Sequence, residues 1–293
     1  MLLNRLIKTP IIKKKIFKVK GLAVDSKKVK KGFIFFAIRG KKLNGESFIN
    51  DAIKKGAKAI VCSNKCKFSS KKIAIIKTTN IRDFLSEIAS KFFKLKPKNI
   101  IAVTGTNGKT SVADLFFQIL NINKIPVASI GTLGIKLKRK TISSDLTSPE
   151  TIQLHQALEK IKKNKIDNVI MEASSHGLFQ KRINNIKIKA GIFTNFSQDH
   201  LDYHKTMQAY LDAKLILFSN ILPKGKIIIS DKSLKEFKLL KKISLKRNLR
   251  LIDIAKIREK LIKYLKSSNN EFQIKNLSMA IAAAKLFSIG EKK

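Results

Sequence analysis

Ile101 to Ser111 reads IAVTGTNGKTS: an apolar, β-prone run leads straight into a glycine-bearing loop, the loop closes in Lys-Thr, and a helical pattern follows. This order of strand, loop and helix is what a phosphate-binding loop requires. Glycines let backbone N–H groups face phosphate oxygens with no Cβ in the way, and the helix N-terminus adds partial positive charge. An ordinary glycine turn needs no such order. The segment Gly105, Thr106, Asn107, Gly108, Lys109, Thr110 and Ser111 therefore reads as an ATP site, with Lys109 reaching the β- and γ-phosphates and the Thr110 hydroxyl available to Mg²⁺. Only two residues separate Gly105 from Gly108, against four in the common loop, so this is the short form.

Downstream, short β-prone runs (VASIGTLG, NVIMEA, KAGIFTN, KIIIS) alternate with helical segments at Pro149 to Lys163, Met207 to Phe218 and Leu277 to Phe287. Such alternation predicts an α/β fold with a mostly parallel sheet covered by helices. The lysine-rich stretch from Leu234 to Lys266 carries no chemistry. Upstream, GFIFFAI and AKAIVC, set between Gly and Lys turns, predict a small α/β domain, and a helical pattern from Phe84 runs out at Pro97. The expected division is 1–97 and 98–293.

The chain has 293 residues, 44% of them apolar, and a formal net charge of +42. A basic excess of this size is the footprint of a nucleic-acid binder. However, only eight of its 62 basic residues are arginine, and the lysines are spread along the chain. Scattered lysine gives salt-sensitive phosphate attraction rather than base reading, so no specific nucleic-acid partner is expected. No run approaches the roughly 18 apolar residues of a membrane span and no signal-peptide core forms, which predicts a cytoplasmic protein with no membrane partner. Cys62 and Cys66 lack the companions of a zinc site and read as reduced, unreactive residues.

Acidic residues number 20 and histidines four, so NFSQDHLDYH, with Asp199, His200, Asp202 and His204 in six positions, stands out. Glu172 closes the apolar run NVIME, and Asn195 closes GIFTN. Ligands of parallel sheets bind beyond the carboxyl ends of strands, so Gly105, Glu172 and Asn195 are expected at one edge. Glu172 with Thr110 meets the modest demand of a phosphate-bridging Mg²⁺. His176 and His204 fit capping or packing as well as function.

GTNGKTS, TSPET (Thr147 to Thr151), MEASSHGLFQKR (Met171 to Arg182) and FTNFSQDHLDYHKTMQAYLDAK (Phe193 to Lys214) together resemble the central domain of the Mur ligase family, and in particular its tripeptide-forming members. VDSKKVKKGFIFFAIRGKKLNGESFINDAIKKGAKAIV resembles that family's uridine-binding domain. The resemblance implies an ATP- and Mg²⁺-dependent ligase of peptidoglycan precursor synthesis, which joins a diamino acid (diaminopimelate or lysine) to UDP-N-acetylmuramoyl-L-alanyl-D-glutamate through an acyl phosphate. By the same likeness Val24, Ser26, Lys41, Lys42 and Leu43 hold the uridine diphosphate portion, while Thr147, Ser148, Ser174, Gln180 and Arg182 grip the muramoyl dipeptide. Lys109, Glu172, His200 and Lys214 form the catalytic set. His200 joins Thr110 and Glu172 as a metal ligand, as does Lys214 once carried as a carbamate.

Three positions depart from the pattern: Ser148 stands for a second threonine, Leu146 for an asparagine, and Gln198 for an arginine. The resemblance ends with NLSMAIAAAKLFSIG, the close of the central domain, so the family's third domain, which supplies the amino-acid pocket, is expected to be absent. A nucleotide-binding remnant remains an alternative reading. A folylpolyglutamate synthase shares the short loop, but the uridine-type pattern upstream argues against it.

Overall fold

The computed structural model describes residues 1–7, 17–40, 43–138, 140–143, 146–265 and 270–287. They fall into two compact units, Met1–Lys94 and Leu95–Lys293.

In the first unit the chain runs through α1 (Leu3–Leu6), β1 (Gly21–Ala23), β2 (Phe33–Phe36), α2 (Ile49–Lys54), β3 (Ala59–Ser63), β4 (Ala74–Thr78) and α3 (Ile81–Phe92). Its described strands form one parallel sheet in the order β1-β2-β3-β4. The runs FIFF and AIVC, read above as β-prone, bury Phe35, Ile60 and Cys62 against Ala52 and Ile49 of α2. Helix α3 starts three residues before the expected Phe84, because the Asn80 side chain accepts a hydrogen bond from the Asp83 N–H at 3.1 Å and caps it there. Cys62 and Cys66 are both buried, and burial together with the neighbouring thiol pushes Cys62 up to about 12, which keeps it an unreactive thiol.

The second unit begins with β5 (Asn99–Thr104), α4 (Lys109–Ile122), β6 (Val127–Gly131), β7 (Gly134–Leu137), β8 (Lys140–Ile142), α5 (Thr151–Lys163), β9 (Asn168–Glu172), α6 (Ser175–Phe179) and β10 (Ala190–Phe193). It continues through α7 (Leu201–His204), α8 (Met207–Ile216), β11 (Ile227–Ser230), α9 (Phe237–Arg247), β12 (Arg250–Asp253), α10 (Ala255–Tyr264) and α11 (Glu271–Ala284). Its described strands form a sheet ordered β12-β11-β10-β5-β9-β6-β7-β8, parallel except for the antiparallel pairs β6–β7 and β7–β8.

Near-continuous apolar strands mark a sheet covered on both faces. On one face Val112, Phe116 and Leu120 of α4 meet Met279, Ala280 and Ala283 of α11. On the other lie Leu154 and Leu158 of α5, with Leu217 and Phe218 in a π-helical turn (Leu217–Ile221) that continues α8. Each Val, Leu, Met or Phe among these, fully buried, contributes about 1.5–3 kcal/mol.

Two expectations need revising. Helix α11 starts at Glu271 rather than Leu277, because the Asn270 side chain caps it by accepting from the Gln273 N–H at 3.1 Å. The stretch from Leu234 to Lys266 conceals β12, which pairs with β11 as an edge strand.

From β5 the chain moves to β6, returns to β9 beside β5, then crosses to β10 on the other side. The winding direction therefore reverses at β5, and the loop after it opens into the crevice where such sheets bind ligands.

Candidate functional site

Side chains from the neighbouring strand end fix the shape of the loop after β5. Asn107 is clipped at both backbone groups: its N–H donates to Asn195 Oδ1 at 2.9 Å, and its carbonyl accepts from Asn195 Nδ2 at 3.1 Å and from Thr194 Oγ1 at 2.6 Å. The Thr106 hydroxyl donates to the Ser197 carbonyl at 3.1 Å and accepts from the Ser197 N–H at 3.0 Å. Gly105 (φ +145°) and Gly108 (φ +82°) take backbone conformations that L side chains rarely adopt. A Cβ on Gly105 would meet Thr194 Oγ1, and one on Gly108 would come within 2.5 Å of Asn276 Oδ1. The loop thus presents a cradle that only glycine leaves open.

Lys109 opens α4 and folds back over this loop, donating to the Gly105 and Thr106 carbonyls at 2.9 and 2.7 Å. Burial lowers its pKa, opposed by Glu172 and Asp199. Lys214, on α8, also reaches the Gly105 carbonyl, at 2.7 Å, with its ammonium 4.1 Å from the centre of the Tyr210 ring. Only 1% of it is exposed, which excludes an ordinary surface lysine. Burial pushes its pKa down to about 7, helped by the positive charge of Lys109 and opposed by Asp199.

Glu172, at the end of β9, is 3% exposed. Its Oε2 accepts from Thr110 Oγ1 at 3.0 Å and from Thr132 Oγ1 at 3.2 Å, while Oε1 accepts from the Thr132 N–H at 2.8 Å. Thr147 joins the group through the Thr132 hydroxyl, at 3.1 Å. Ser148 donates to the Glu172 carbonyl and accepts from the Ser174 N–H, both at 2.9 Å. The Ser174 side chain in turn caps α6. Gln180 donates to the Tyr203 hydroxyl at 3.0 Å and accepts from Arg182.

His200 caps α7 with φ +51° and an exposed ring whose Nε2 is 3.4 Å from Asp199 Oδ2. The ring lies near those of His176 and Tyr210, at centroid distances of 5.0 and 5.8 Å. His204 is packed instead, with Nε2 3.0 Å from Ser175 Oγ, and burial lowers its pKa to about 4.

A strand–loop–helix with glycine-only geometry, flanked by a hydrogen-bonded carboxylate and two lysines on one carbonyl, occurs here within a family pattern. The model of the Mur ligase middle domain matches residues 103–284, and that of the Mur ligase family catalytic domain matches residues 18–93. The chain belongs to the Mur ligase family. Curated Mur ligases similar to it include the UDP-N-acetylmuramoyl-L-alanyl-D-glutamate–2,6-diaminopimelate ligase of Zymomonas mobilis, 41% identical over 91% of this chain and 54% of that protein. The ligase of the same name from Brucella melitensis is 39% identical over 71% of this chain and 42% of that protein. A solved structure of a ligase so named superposes with a TM-score of 0.76 at 24% identity, covering 93% of this chain and 60% of that one. The chain spans about half the length of the curated Mur ligases it matches.

Of the positions singled out in the sequence, Gly105 to Thr110, Thr147, Ser148, Glu172, Ser174, Asn195 and Lys214 are linked by the contacts above, and Ser111 follows in the first turn of α4. Gln180 and Arg182 attach to the same group through Ser148. In the first unit, Val24 and Leu43 are exposed and Ser26 is buried, its hydroxyl bonded to Asp51. Lys41 and Lys42 lie outside the described residues.

Four residues were missed from sequence: Thr132, Glu150, Tyr210 and Asn276. Asn276 is 2% exposed, and its Nδ2 has no partner among the described residues. An asparagine on the buried face of an alanine-rich helix was the available signal, since such a group is costly to bury unsatisfied.

Proposed function

We propose that this chain is the substrate- and nucleotide-binding portion of a ligase that activates the D-glutamyl side-chain carboxylate of UDP-N-acetylmuramoyl-L-alanyl-D-glutamate with ATP, for condensation with diaminopimelate or lysine. The observation that carries the reading is the convergence of Lys109, Thr110, Glu172 and Lys214 on the glycine cradle at the switch point of the sheet. Asn276, whose Oδ1 lies beside Gly108 and whose Nδ2 has no partner among the described residues, fits a polar ligand at that loop.

In this reading the Gly105–Ser111 loop and the α4 N-terminus receive the ATP phosphates, with Lys109 leaving its two loop carbonyls for phosphoryl oxygens. Thr110, Glu172, His200 and Lys214 as a carbamate would hold Mg²⁺, which when bound neutralises charge on the transferring phosphoryl group. A pKa near 7 leaves much of the Lys214 amine neutral, the form that adds to CO₂ with loss of a proton. Arg182 and Thr147 orient the substrate carboxylate, which attacks the γ-phosphorus as ADP leaves, giving the acyl phosphate. The incoming amine then displaces phosphate. Val24, Ser26, Lys41, Lys42 and Leu43 are assigned to the uridine diphosphate portion of the substrate. The site of action is the cytoplasm; among the described residues no helix is long and apolar enough to cross a membrane.

The test is hydroxylamine trapping with ATP, Mg²⁺ and the muramoyl dipeptide. Hydroxamate formed only when all three are present supports acyl-phosphate chemistry. Trapping on a folate substrate in place of the dipeptide would contradict it.

A further inference from the structure

Arg182 reaches the site through acceptors of unequal kind, among them Gln180, Ser148 and Glu150. Its Nε and Nη2 both donate to Gln180 Oε1, at 3.2 and 2.8 Å, and Nη1 donates to the Ser148 carbonyl at 2.8 Å. Nη2 also lies 2.8 Å from Glu150 Oε1. The two neutral acceptors are anchored: Gln180 is tied to Tyr203, and Ser148 to the Glu172 carbonyl. Glu150 is not. It precedes α5 without making a capping bond, and its side chain is 40% exposed, against 10% for Arg182.

A guanidinium so enclosed is expensive to leave without a counter-charge, and Glu150 supplies one. An exposed carboxylate at the end of a mobile side chain is also the partner most cheaply withdrawn. We propose that Glu150 is an internal stand-in for the substrate carboxylate, keeping Arg182 paired and oriented until a carboxylate of an acidic peptide displaces it. This rests on the functional reading above, and it makes Glu150 a specificity-determining residue. A ligand that brings a carboxylate regains the pair that it breaks. One that lacks a carboxylate leaves Glu150 in place and gains nothing from Arg182.

The experiment is calorimetry on the 293-residue chain with UDP-N-acetylmuramoyl-L-alanyl-D-glutamate and with the shorter, carboxylate-free UDP-N-acetylmuramoyl-L-alaninamide, comparing wild type with Glu150→Gln and Glu150→Asp. Removing the competing charge should tighten dipeptide binding by about two- to fivefold, the scale of an exposed ion pair, and should leave the shorter ligand unchanged. The gain should shrink as salt rises. Glu150→Asp, whose shorter carboxylate withdraws from Arg182, should shift binding in the same direction. Unchanged or weaker dipeptide binding in variants that melt like wild type would overturn the stand-in role. If neither ligand bound wild type, the functional reading would fall, and this inference with it.

Discussion

Of the charged groups that the second unit buries, Asp231 and Lys214 are treated in opposite ways. Asp231, just past β11, is 0% exposed, and its Oδ2 lies 2.6 Å from Arg258 Nη1 while its Oδ1 accepts from the Ser233 N–H at 2.9 Å. Lys214 is equally hidden, yet among the described residues it makes no ion pair, only a bond to the Gly105 carbonyl and a contact with the Tyr210 ring. A buried charge that is fully paired closes a structure; one held by a carbonyl and a ring remains available for chemistry. By this criterion the β11–β12 flank is scaffold, and the loop after β5 is where we propose the working edge.

The largest expected effect tests the scaffold side. Asp231→Ala strands Arg258 and should cost about 3 kcal/mol in urea denaturation, the lower end of the range for a broken buried pair because Arg258 keeps some exposure. ATP affinity should not change. Lys214→Met should behave inversely: stability at pH 7 does not fall, because a penalised cation is removed, while the Mg²⁺-dependent part of ATP binding is lost. If both substitutions cost stability alone, the distinction fails.

Acid behaviour sharpens the comparison with a third buried group. His155 on α5 has both ring nitrogens buried and, among the described residues, unpartnered, and burial, with Lys96 nearby, pushes its pKa down to about 3 from 6.5. Between those values the unfolded chain binds the proton that the folded chain refuses, so stability falls as pH drops from 6.5 towards 3. His155→Leu should shift the acid-unfolding midpoint to lower pH.

A corresponding effect lies at alkaline pH. Lys214 has a folded pKa of about 7 against an ordinary 10.5, so the unfolded state holds more protons between the two, and stability rises with pH across that window. Lys214→Met should flatten this slope in melting curves recorded from pH 7 to 10. A slope left unchanged would place the titration elsewhere.

Much of the working edge was legible because its chemistry is local. Gly105, Gly108, Lys109 and Thr110 lie within six residues, and Glu172 and Asn195 each end an apolar run. What escaped depends on contacts distant in sequence. Thr132 matters because a turn brings its N–H to Glu172, 40 residues away. Asn276 matters because α11 packs on α4. β12 was hidden because RLID is short and lies between lysine-rich helices, and its pairing with β11 is what makes it a strand. Arg182 was read, by likeness, as one of the residues that grip the muramoyl dipeptide, and nothing local shows that Gln180 and Glu150 already hold it.

We place ATP with Mg²⁺ at the loop after β5, and calorimetry of wild type beside Lys109→Ala decides whether it binds there. Losing a charge-assisted contact of roughly 1.5–3 kcal/mol should weaken binding by at least about tenfold. Among the described residues Lys109 is bonded only to loop carbonyls, so the variant should still fold. Equal ATP affinity in the two proteins would contradict the account.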